Sequence, residues 1–586
     1  MCYVKSFLKI FFLLIIIIFL PPRYAYSSYL NDFSPSQQDA INKAISEDED
    51  LGELIEYAPD LINFEEIFKD YSFQPSLIFN PGDANGDGIV NMMDYIIWIT
   101  FYNKPYSPTS NVNPDFNNDG KVDGTDFVIW LGNYNKFYPT PTNVPFPTPT
   151  LRPTYTPTPT PRSTTSVTPT PKPNIILIVS DDQRHDSIQK MPFLNSQQEN
   201  WFRFQNAFTN VSLCCPSRST ILSGLFSHHS GVEDNGSKRY FDENDNIVTK
   251  LDSAGYTTAL IGKYLNKWTG ETDEPYTPPG WDVFTPFMDP ISYFNYKLVE
   301  EGVVKTYGDT PADYATDVLG QKALNFITEA KQPFFLYFSP YTPHSPFIPA
   351  PRHVGVDLSS VTLPPNFNEE DVSDKPEWIK NLPKREPQEM LKHLKNQYRM
   401  LLSLDEWVEN IYTALKDREI AYKTVIIYIG DNSFSHGEHR IVGKMCGYSY
   451  CNQIPLLIRY PQNTGRVINN PVSNVDIAPT LANIAGVNLM NVDGLSLVPL
   501  LNGSTQPPDQ PSRGILTHWG GTGVYELPHF WGIVTDKWNY MELATGEKEL
   551  YDRVNDPYEL TNLANIPEYS QIQSRLRLDL IDLMNQ

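Results

Sequence analysis

The chain has 586 residues and a formal net charge of −24, from 69 acidic against 45 basic side chains. Single hydrophobic cores stop growing at roughly 250 to 300 residues, so several domains are expected. The acidic balance excludes a basic surface that would track a nucleic acid backbone, and any attraction for an anionic substrate has to be local.

The N-terminus reads "MCYVKSFLKIFFLLIIIIFLPPRYAYSS", with Lys5 and Lys9 ahead of an apolar run over residues 10–20, then Pro21, Pro22 and small residues. This is the layout of a secretory signal peptide over residues 1–27, too short to span a bilayer comfortably. It predicts a secreted, extracellular protein. Cleavage would remove Cys2 and leave the other four cysteines outside the reducing cytosol. No second hydrophobic segment follows, which predicts a soluble mature chain. Residues 28–79 are acidic and carry helical spacing in "DAINKAISEDEDLGELIEYAPDLINFEEIFKDY", without a chemical motif.

Next the chain repeats itself. "DANGDGIVNMMD" starts at Asp83 and "DFNNDGKVDGTD" at Asp115, each with oxygen side chains at loop positions one, three, five, nine and twelve and glycine at six. A hard cation needs six to eight oxygens gathered by a tightly wound loop, so each copy is a calcium-loop candidate. Asp83, Asn85, Asp87, Asn91 and Asp94 would hold one Ca2+; Asp115, Asn117, Asp119, Asp123 and Asp126 would hold the second. Position twelve is Asp, where an ordinary EF-hand has Glu. Each loop runs into an apolar helix, "YIIWITFYNK" and "FVIWLGNYNK". Two such half-EF-hands in tandem resemble a dockerin module, a small all-α calcium-binding unit over residues 80–138. The resemblance implies docking on a cohesin-type protein partner, and hence attachment to a cell surface or a multi-enzyme assembly. Met92 and Met93 in one loop stand against Gly124 and Thr125 in the other, so the two faces differ.

Residues 139–173 are a Pro/Thr tract without an acidic residue and without a core-forming pattern. As polyproline II at about 3.1 Å per residue, this linker would separate its neighbours by up to roughly 100 Å.

From Asn174 onward, apolar runs of strand length repeatedly end in a reactive side chain. "NIILIVSDD" delivers Asp181 and Asp182, "TTALIGK" delivers Lys263, "PFFLYFSPYTPH" delivers His344, and "TVIIYIGDN" delivers Asp431 and Asn432. Unbroken apolar runs suit parallel strands buried on both faces, and open α/β sheets gather their sites at the carboxyl ends of such strands. Three carboxylates and an amide oxygen favour a hard cation, Ca2+ with Mg2+ as the alternative, over zinc. Taken singly, each Asp is a strand-end turn residue; the pairs "DD" and "DN" after buried strands make the metal reading the better one.

Residues 212–224, "SLCCPSRSTILSG", set two cysteines side by side in a chain with only five. A disulfide between neighbours is strained, and zinc would want sulfur and histidine at regular spacing. The stretch contains Cys-x-Pro-x-Arg with Cys214 first, and in its extended form "CCPSRSTILSG" it resembles the signature of the sulfatases. The similarity covers residues 174–586 and includes "SDDQRHDS", "GYTTALIGKYLNKW", "SPYTPHSPF", "GDNSFSHGEHRIVGK", "NVDIAPTLANIAGV" and "ELYDRVNDPYELTNLA".

The resemblance implies an alkaline-phosphatase-like α/β fold. Its large, mixed, mostly parallel sheet is flanked by helices, with a smaller C-terminal α+β subdomain from about residue 505. It implies that a formylglycine-generating enzyme oxidises Cys214 to formylglycine, with Cys215 at the variable position. A thiolate is a soft ligand for a hard cation, whereas an aldehyde hydrate offers two oxygens, one to bind metal and attack sulfur, the other to release sulfate. Carried over by position, Asp181, Asp182, Asp431 and Asn432 look like metal ligands beside residue 214, Arg218 anchors the hydrate, Lys263 and Lys444 contact sulfate, and His344 protonates the leaving alcohol. Many sulfatases have histidine two residues after the lysine of "GK"; here Leu265 and Asn266 follow in "GKYLN", similar to the N-acetylglucosamine-6-sulfatase and extracellular heparan endosulfatase branch, so Asn266 takes the polar role. Against this, Lys263 alone reads as a surface residue and His344 as a loop cap. His436 and His439 have weaker claims, and His228 and His229 read as structural or rim residues. Cys446 and Cys451 flank "GYSY" after Lys444, which suggests a short-loop disulfide in an exported protein; free thiols or a bond to Cys215 are the alternatives.

The expected activity is a secreted sulfuric ester hydrolase acting on a sulfated carbohydrate in polysaccharide degradation. The alternatives are a formylglycine-dependent phosphonate or phosphate ester hydrolase, or a non-catalytic scaffold component acting through its dockerin-like half.

Overall fold

A computed structural model describes Asp115, Phe116, Val122 and residues 172–586 apart from 198, 270–273, 462, 505–512 and 521–526. The chain divides into two units, Met1–Ser163 and Thr164–Gln586. In the first, the expected signal peptide, the segment 28–79 and the calcium-loop candidates Asp83, Asn85, Asp87, Asn91, Asp94, Asn117, Asp119, Asp123 and Asp126 lie outside the described residues. The linker up to residue 171 does too. Asp115 is described, and it is buried, as are Phe116 and Val122.

The second unit is built on a ten-stranded sheet. Its strands are β1 (Asn174–Ser180), β2 (Phe202–Phe204), β3 (Thr257–Gly262), β4 (Val283–Met288), β5 (Lys297–Glu300), β6 (Val303–Thr306), β7 (Phe334–Ser339), β8 (Thr424–Gly430), β9 (Leu456–Arg459) and β10 (Val467–Ile468). The spatial order is β10-β2-β9-β8-β1-β7-β3-β4-β5-β6. The central strands β8, β1, β7, β3 and β4 run parallel, while β9 on one side and β5 on the other pair antiparallel. The four apolar runs noted in the sequence are therefore four adjacent strands. The mixed, mostly parallel sheet agrees with the expected α/β class.

Every residue of β1, β7 and β8 is buried, because helices cover both faces. The pleat splits β1 between two cores. Ile175, Leu177 and Val179 pack with α1 (Cys214–Ser223), α2 (Ile247–Ser253) and, further along the chain, Ile477 and Leu481. Ile176 and Ile178 pack on the opposite face against α3 (Ala315–Glu329) and α4 (Pro387–Asp417), through Leu319, Ile327, Leu401, Leu404 and Val408. Ile477 and Leu481 belong to α5 (Ile477–Ala485). Each such buried Ile or Leu stabilises the fold by about 1.5–3 kcal/mol relative to exposure, and a one-residue slip of β1 would exchange the two faces.

The C-terminal part is a four-stranded antiparallel sheet, β11 (Ile515–Trp519), β12 (Phe530–Val534), β13 (Trp538–Leu543) and β14 (Lys548–Asp552). Helix α6 (Ser570–Met584) covers one face, placing Leu576 and Leu580 on Leu516, Ile533, Tyr540 and Leu550. This is the expected small α+β subdomain. Among the described residues, no helix is long and apolar enough to cross a membrane.

Candidate active site

The parallel order of β8, β1, β7 and β3 aligns their carboxyl ends. There the main chain is fixed tightly: Asp181 N–H donates to Thr342 O at 3.0 Å, and Asp431 N–H to Ser180 O at 3.0 Å. Asp182 takes a φ of 60°, a left-handed conformation rare outside glycine, and its N–H donates to Asp431 Oδ1 at 3.1 Å. At the end of β3, Gly262 has a φ of 119°, and a Cβ there would lie 2.0 Å from Ser339 O. Only glycine lets β3 pass β7 this closely, and the next residue, Lys263, is thereby turned inward.

Helix α1 aims its first residue at these strand ends. Leu213 is extended, Cys214 opens the helix, Pro216 falls in the first turn where it needs no N–H partner, and Gly224 closes it at φ 74°. All ten side chains of α1 are buried. Arg218 lies four residues after Cys214 and so on the same face. Its Nε donates to Asp431 Oδ2 at 2.8 Å, its Nη1 to Ser339 Oγ at 2.5 Å and to Lys263 O at 3.0 Å, and its Nη2 lies 3.5 Å from Asp181 Oδ2. One side chain thus ties together the ends of all four strands.

Around Cys214 Sγ, Lys444 Nζ is at 2.8 Å, Asp181 Oδ1 at 3.4 Å and Asp182 Oδ1 at 4.0 Å. Lys263 Nζ donates to Asp181 Oδ2 at 2.5 Å, and Lys444 Nζ to Asp182 Oδ1 at 2.5 Å. Asn432 Nδ2 donates to Asp182 Oδ1 at 2.6 Å. His344 sits in a turn beyond β7, closed by its N–H on Tyr341 O at 2.9 Å. Its ring stacks on Tyr341 at 4.4 Å, Nδ1 bonds Ser345 O at 2.6 Å, and Nε2 lies 3.5 Å from Asp182 Oδ2.

These contacts set the protonation states. Burial raises the Asp181 carboxyl, but Lys263, His344, Arg218 and Lys444 outweigh it and hold the group well below the ordinary carboxylate range. Burial and the charge of Asp181 push Asp431 up to about 6, against Arg218 and Lys263. Burial and then Asp181 push the Cys214 thiol up to about 12. His344 is lowered by burial, against the pull of Asp182 and Asp181.

The cluster fits a hard cation. One ligand atom from each of Asp181, Asp182, Cys214 and His344 lies within 4.8 Å of the others. Asp182 Oδ2 and Asn432 Oδ1 are buried oxygens without a hydrogen-bond partner, an arrangement that costs free energy unless something else binds them. Asp431 differs, since both its oxygens already accept hydrogen bonds, from Asp182 N, Asn432 N and Arg218 Nε. Oδ1 accepts two of these, whereas Oδ2 accepts one and retains a second lone pair for a metal.

Of the expected site residues, Asp181, Asp182, Cys214, Arg218, Lys263, His344, Asp431, Asn432 and Lys444 come together. Lys263 is only 3% exposed, far from the surface lysine its local sequence suggests. Asn266 makes no hydrogen bond to this group, and its Oδ1 is buried without a partner. Cys215 is a free, buried thiol packed into the core, and a disulfide joins Cys446 to Cys451. His436 is buried against Gln397, His439 pairs with Glu369, and His229 pairs with Asp493. His228 packs among His229, His518 and Trp531.

Sequence reasoning passed over the supports. Ser339 receives Arg218; Ser217 donates to Asp431 O and receives Asn474 Nδ2 at 2.9 Å; Gln397 Nε2 donates to Asp182 O at 3.3 Å. Ser339 carried a signal, being a polar residue that closes an apolar strand just as Ser180 does. Gln397 and Asn474 sit far off in the chain and carried none.

Residues 173–487 match the sulfatase family, residues 437–586 the N-sulphoglucosamine sulphohydrolase C-terminal region, and residues 81–130 the dockerin type I domain. The chain is 33% identical over 354 residues to an extracellular sulfatase SULF-1 homolog of Drosophila melanogaster, covering 56% of this chain and 31% of that protein. It is 30% identical over 363 residues to an N-acetylglucosamine-6-sulfatase of Homo sapiens, covering 57% and 65%. The chain thus spans less than two thirds of the length of each of these relatives. A protein solved in complex with its substrate D-glucosamine-2-N,6-O-disulfate shares the fold, with a TM-score of 0.62 at 24% identity over 71% of this chain and 98% of that one.

Proposed function

Because the chain belongs to the sulfatase family, we propose that it hydrolyses a sulfuric ester of a sulfated carbohydrate, with residue 214 as the nucleophile after conversion to formylglycine. The observation that carries this reading is the placement of Cys214 at the head of α1, between Lys444 at 2.8 Å and the carboxylates of Asp181 and Asp182. Asp181, Asp182, Asp431 and Asn432 would hold a divalent cation, Ca2+ by their all-oxygen character, with Mg2+ as the alternative. When bound, that cation supplies Lewis-acid polarisation of the sulfuryl oxygens. Formylglycine, as its hydrate, supplies an oxygen nucleophile and a second hydroxyl through which sulfate can be released.

The side chains of the protein do the rest. Arg218 locks Asp431 and Asp181 from behind residue 214. Lys263 and Lys444 bring two fixed positive charges to where oxygens of a transferring sulfuryl group gain charge, a task for which donors need no reorganisation. His344 presents Nε2 to the site while Nδ1 donates to Ser345 O, so Nε2 carries a proton for the departing alcohol in the imidazolium form, which the charges of Asp182 and Asp181 favour against burial.

A carbohydrate is favoured by the similarity to N-acetylglucosamine-6-sulfatases and extracellular sulfatases, and by the dockerin-type segment, which suits a polymer-degrading assembly. In this reading residues 1–27 direct secretion and residues 139–173 space the two halves. Residues 80–138 bind two Ca2+ through the two aspartate-rich loops and dock on a cohesin-type protein. Residues 174–586 are the catalytic domain, matured by a formylglycine-generating enzyme.

The test pairs mass with rate. The tryptic peptide of residues 204–218, "FQNAFTNVSLCCPSR", is weighed from protein co-expressed with such an enzyme, and turnover of an aryl sulfate is compared with that of the matched aryl phosphonate. One aldehyde and a preference for sulfate support the proposal. An aldehyde with preferred phosphonate turnover replaces it with the phosphonate reading, and an aldehyde with no turnover leaves the scaffold reading.

A further inference from the structure

A group of buried polar side chains with no part in the proposed chemistry lies where the C-terminal sheet meets residues 446–451. That loop is closed by the Cys446–Cys451 disulfide and begins two residues after Lys444. Three of its successive residues are each held by a different side chain of the C-terminal part. Gly447 O accepts from Asn539 Nδ2 at 3.0 Å, and Tyr448 Oη donates to Glu549 Oε2 at 2.5 Å. Ser449 N–H and Oγ donate to Glu559 Oε2 and Oε1 at 2.9 and 2.8 Å. The holders are themselves interlinked, Asn539 donating to Glu559 Oε1 at 2.8 Å and Tyr551 to Glu549 Oε2 at 2.5 Å. Packing adds to this, since a Cβ on Gly447 would sit 2.5 Å from Met541 Sδ.

On its other side the loop is tied to the chain entering α1. Met445 N–H donates to Ser212 O at 3.1 Å, and Ser212 Oγ to Cys451 O at 2.6 Å, two residues before Cys214. The disulfide closes the loop, but the polar contacts fix where the loop stands relative to residue 214. Burying two carboxylates for this purpose is costly where apolar packing would do for stability alone, and satisfied buried networks are what specify a single geometry.

We propose that Asn539, Glu549 and Glu559 are positioning residues: the C-terminal sheet sets the place of the Lys444 ammonium over residue 214. This rests on the reading of Lys444 as a sulfate contact. Lysine has a flexible four-carbon stem, so its reach is only as exact as its backbone, and a shift of about 1 Å can cost on the order of 100-fold in rate.

The experiment takes Glu559→Gln and Tyr448→Phe, two swaps that keep side-chain volume, and crosses each with Lys444→Ala in the full chain. It reads kcat/KM on an aryl sulfate, and hydrogen exchange of the peptide covering residues 442–452. The expected result is a loss of about tenfold for each swap that vanishes in the Lys444→Ala background, because coupled residues do not add. Exchange in residues 442–452 rises while α1 stays protected. Equal losses in both backgrounds, or no loss and no added exchange, overturn the proposal. If Lys444→Ala alone leaves kcat/KM intact, the sulfate-contact reading itself fails, an outcome told apart because that single variant is measured first.

Discussion

Replacing Arg218 by lysine keeps the charge and removes the fork. Arg218 is fully buried and donates to Asp431, Ser339 and Lys263 O, groups at the ends of β8, β7 and β3. A lysine ammonium is a single point on a stem and can keep the ion pair with Asp431, but it cannot also reach Ser339 and the Lys263 carbonyl. Two hydrogen bonds from a charged donor are then lost, each worth about 1.5–3 kcal/mol, so the variant is expected to be about 3–6 kcal/mol less stable. For a unit of this size that is a fall in Tm of about 3–7 °C, read by calorimetry. Measured well below the melt, kcat/KM on an aryl sulfate is expected to drop about 100-fold or more, because Asp431 and Asp181 lose the group that registers them. A Tm within about 1 °C of the parent and a rate within about threefold would refute the idea that this guanidinium organises the four strand ends.

The remaining predictions concern charge, metal, pH and the loop. Lys263→Ala removes the cation 2.5 Å from Asp181 and is expected to lower kcat/KM on an aryl sulfate by about 100- to 1,000-fold. Asp182→Asn preserves a residue that tolerates the φ of 60° but deletes a carboxylate, so calorimetry should find the fold intact and Ca2+ binding at the site lost. Glu549 is pushed up to about 7 by burial, against an unfolded value of 4.5, so its ionisation opposes folding. Stability is expected to decline as pH rises from about 4.5 to about 7, by on the order of 3 kcal/mol, and Glu549→Gln, monitored by urea melts across that range, should flatten the decline. Cys446→Ser with Cys451→Ser opens a short loop and should cost about 2 kcal/mol in the same melts.

The apolar runs ending in "SDD", "GK" and "GDN" announced buried parallel strands because a strand covered on both faces has no room for polar alternation. The polar residues that stop each run mark where the backbone leaves the core. The cysteine of "CCPSR" was legible on other grounds: an adjacent pair with no ready disulfide or zinc partner drew notice, and the resemblance of "CCPSRSTILSG" to the sulfatase signature supplied its expected role. The sequence by itself determined the strands and their reactive ends, and its resemblance to the sulfatases drew attention to residue 214. It did not determine that Lys263 is buried, since "IGK" looks like an exposed strand end until Gly262 at φ 119° turns the chain inward. It left the supporting bonds unseen, among them Gln397 to Asp182, 215 residues apart, and Asn474 to Ser217, 257 apart. Nor could it assign the C-terminal sheet its hold on residues 447–449. Local periodicity records which residues are buried; which buried polar group meets which is settled only when distant segments pack and every donor has to find an acceptor.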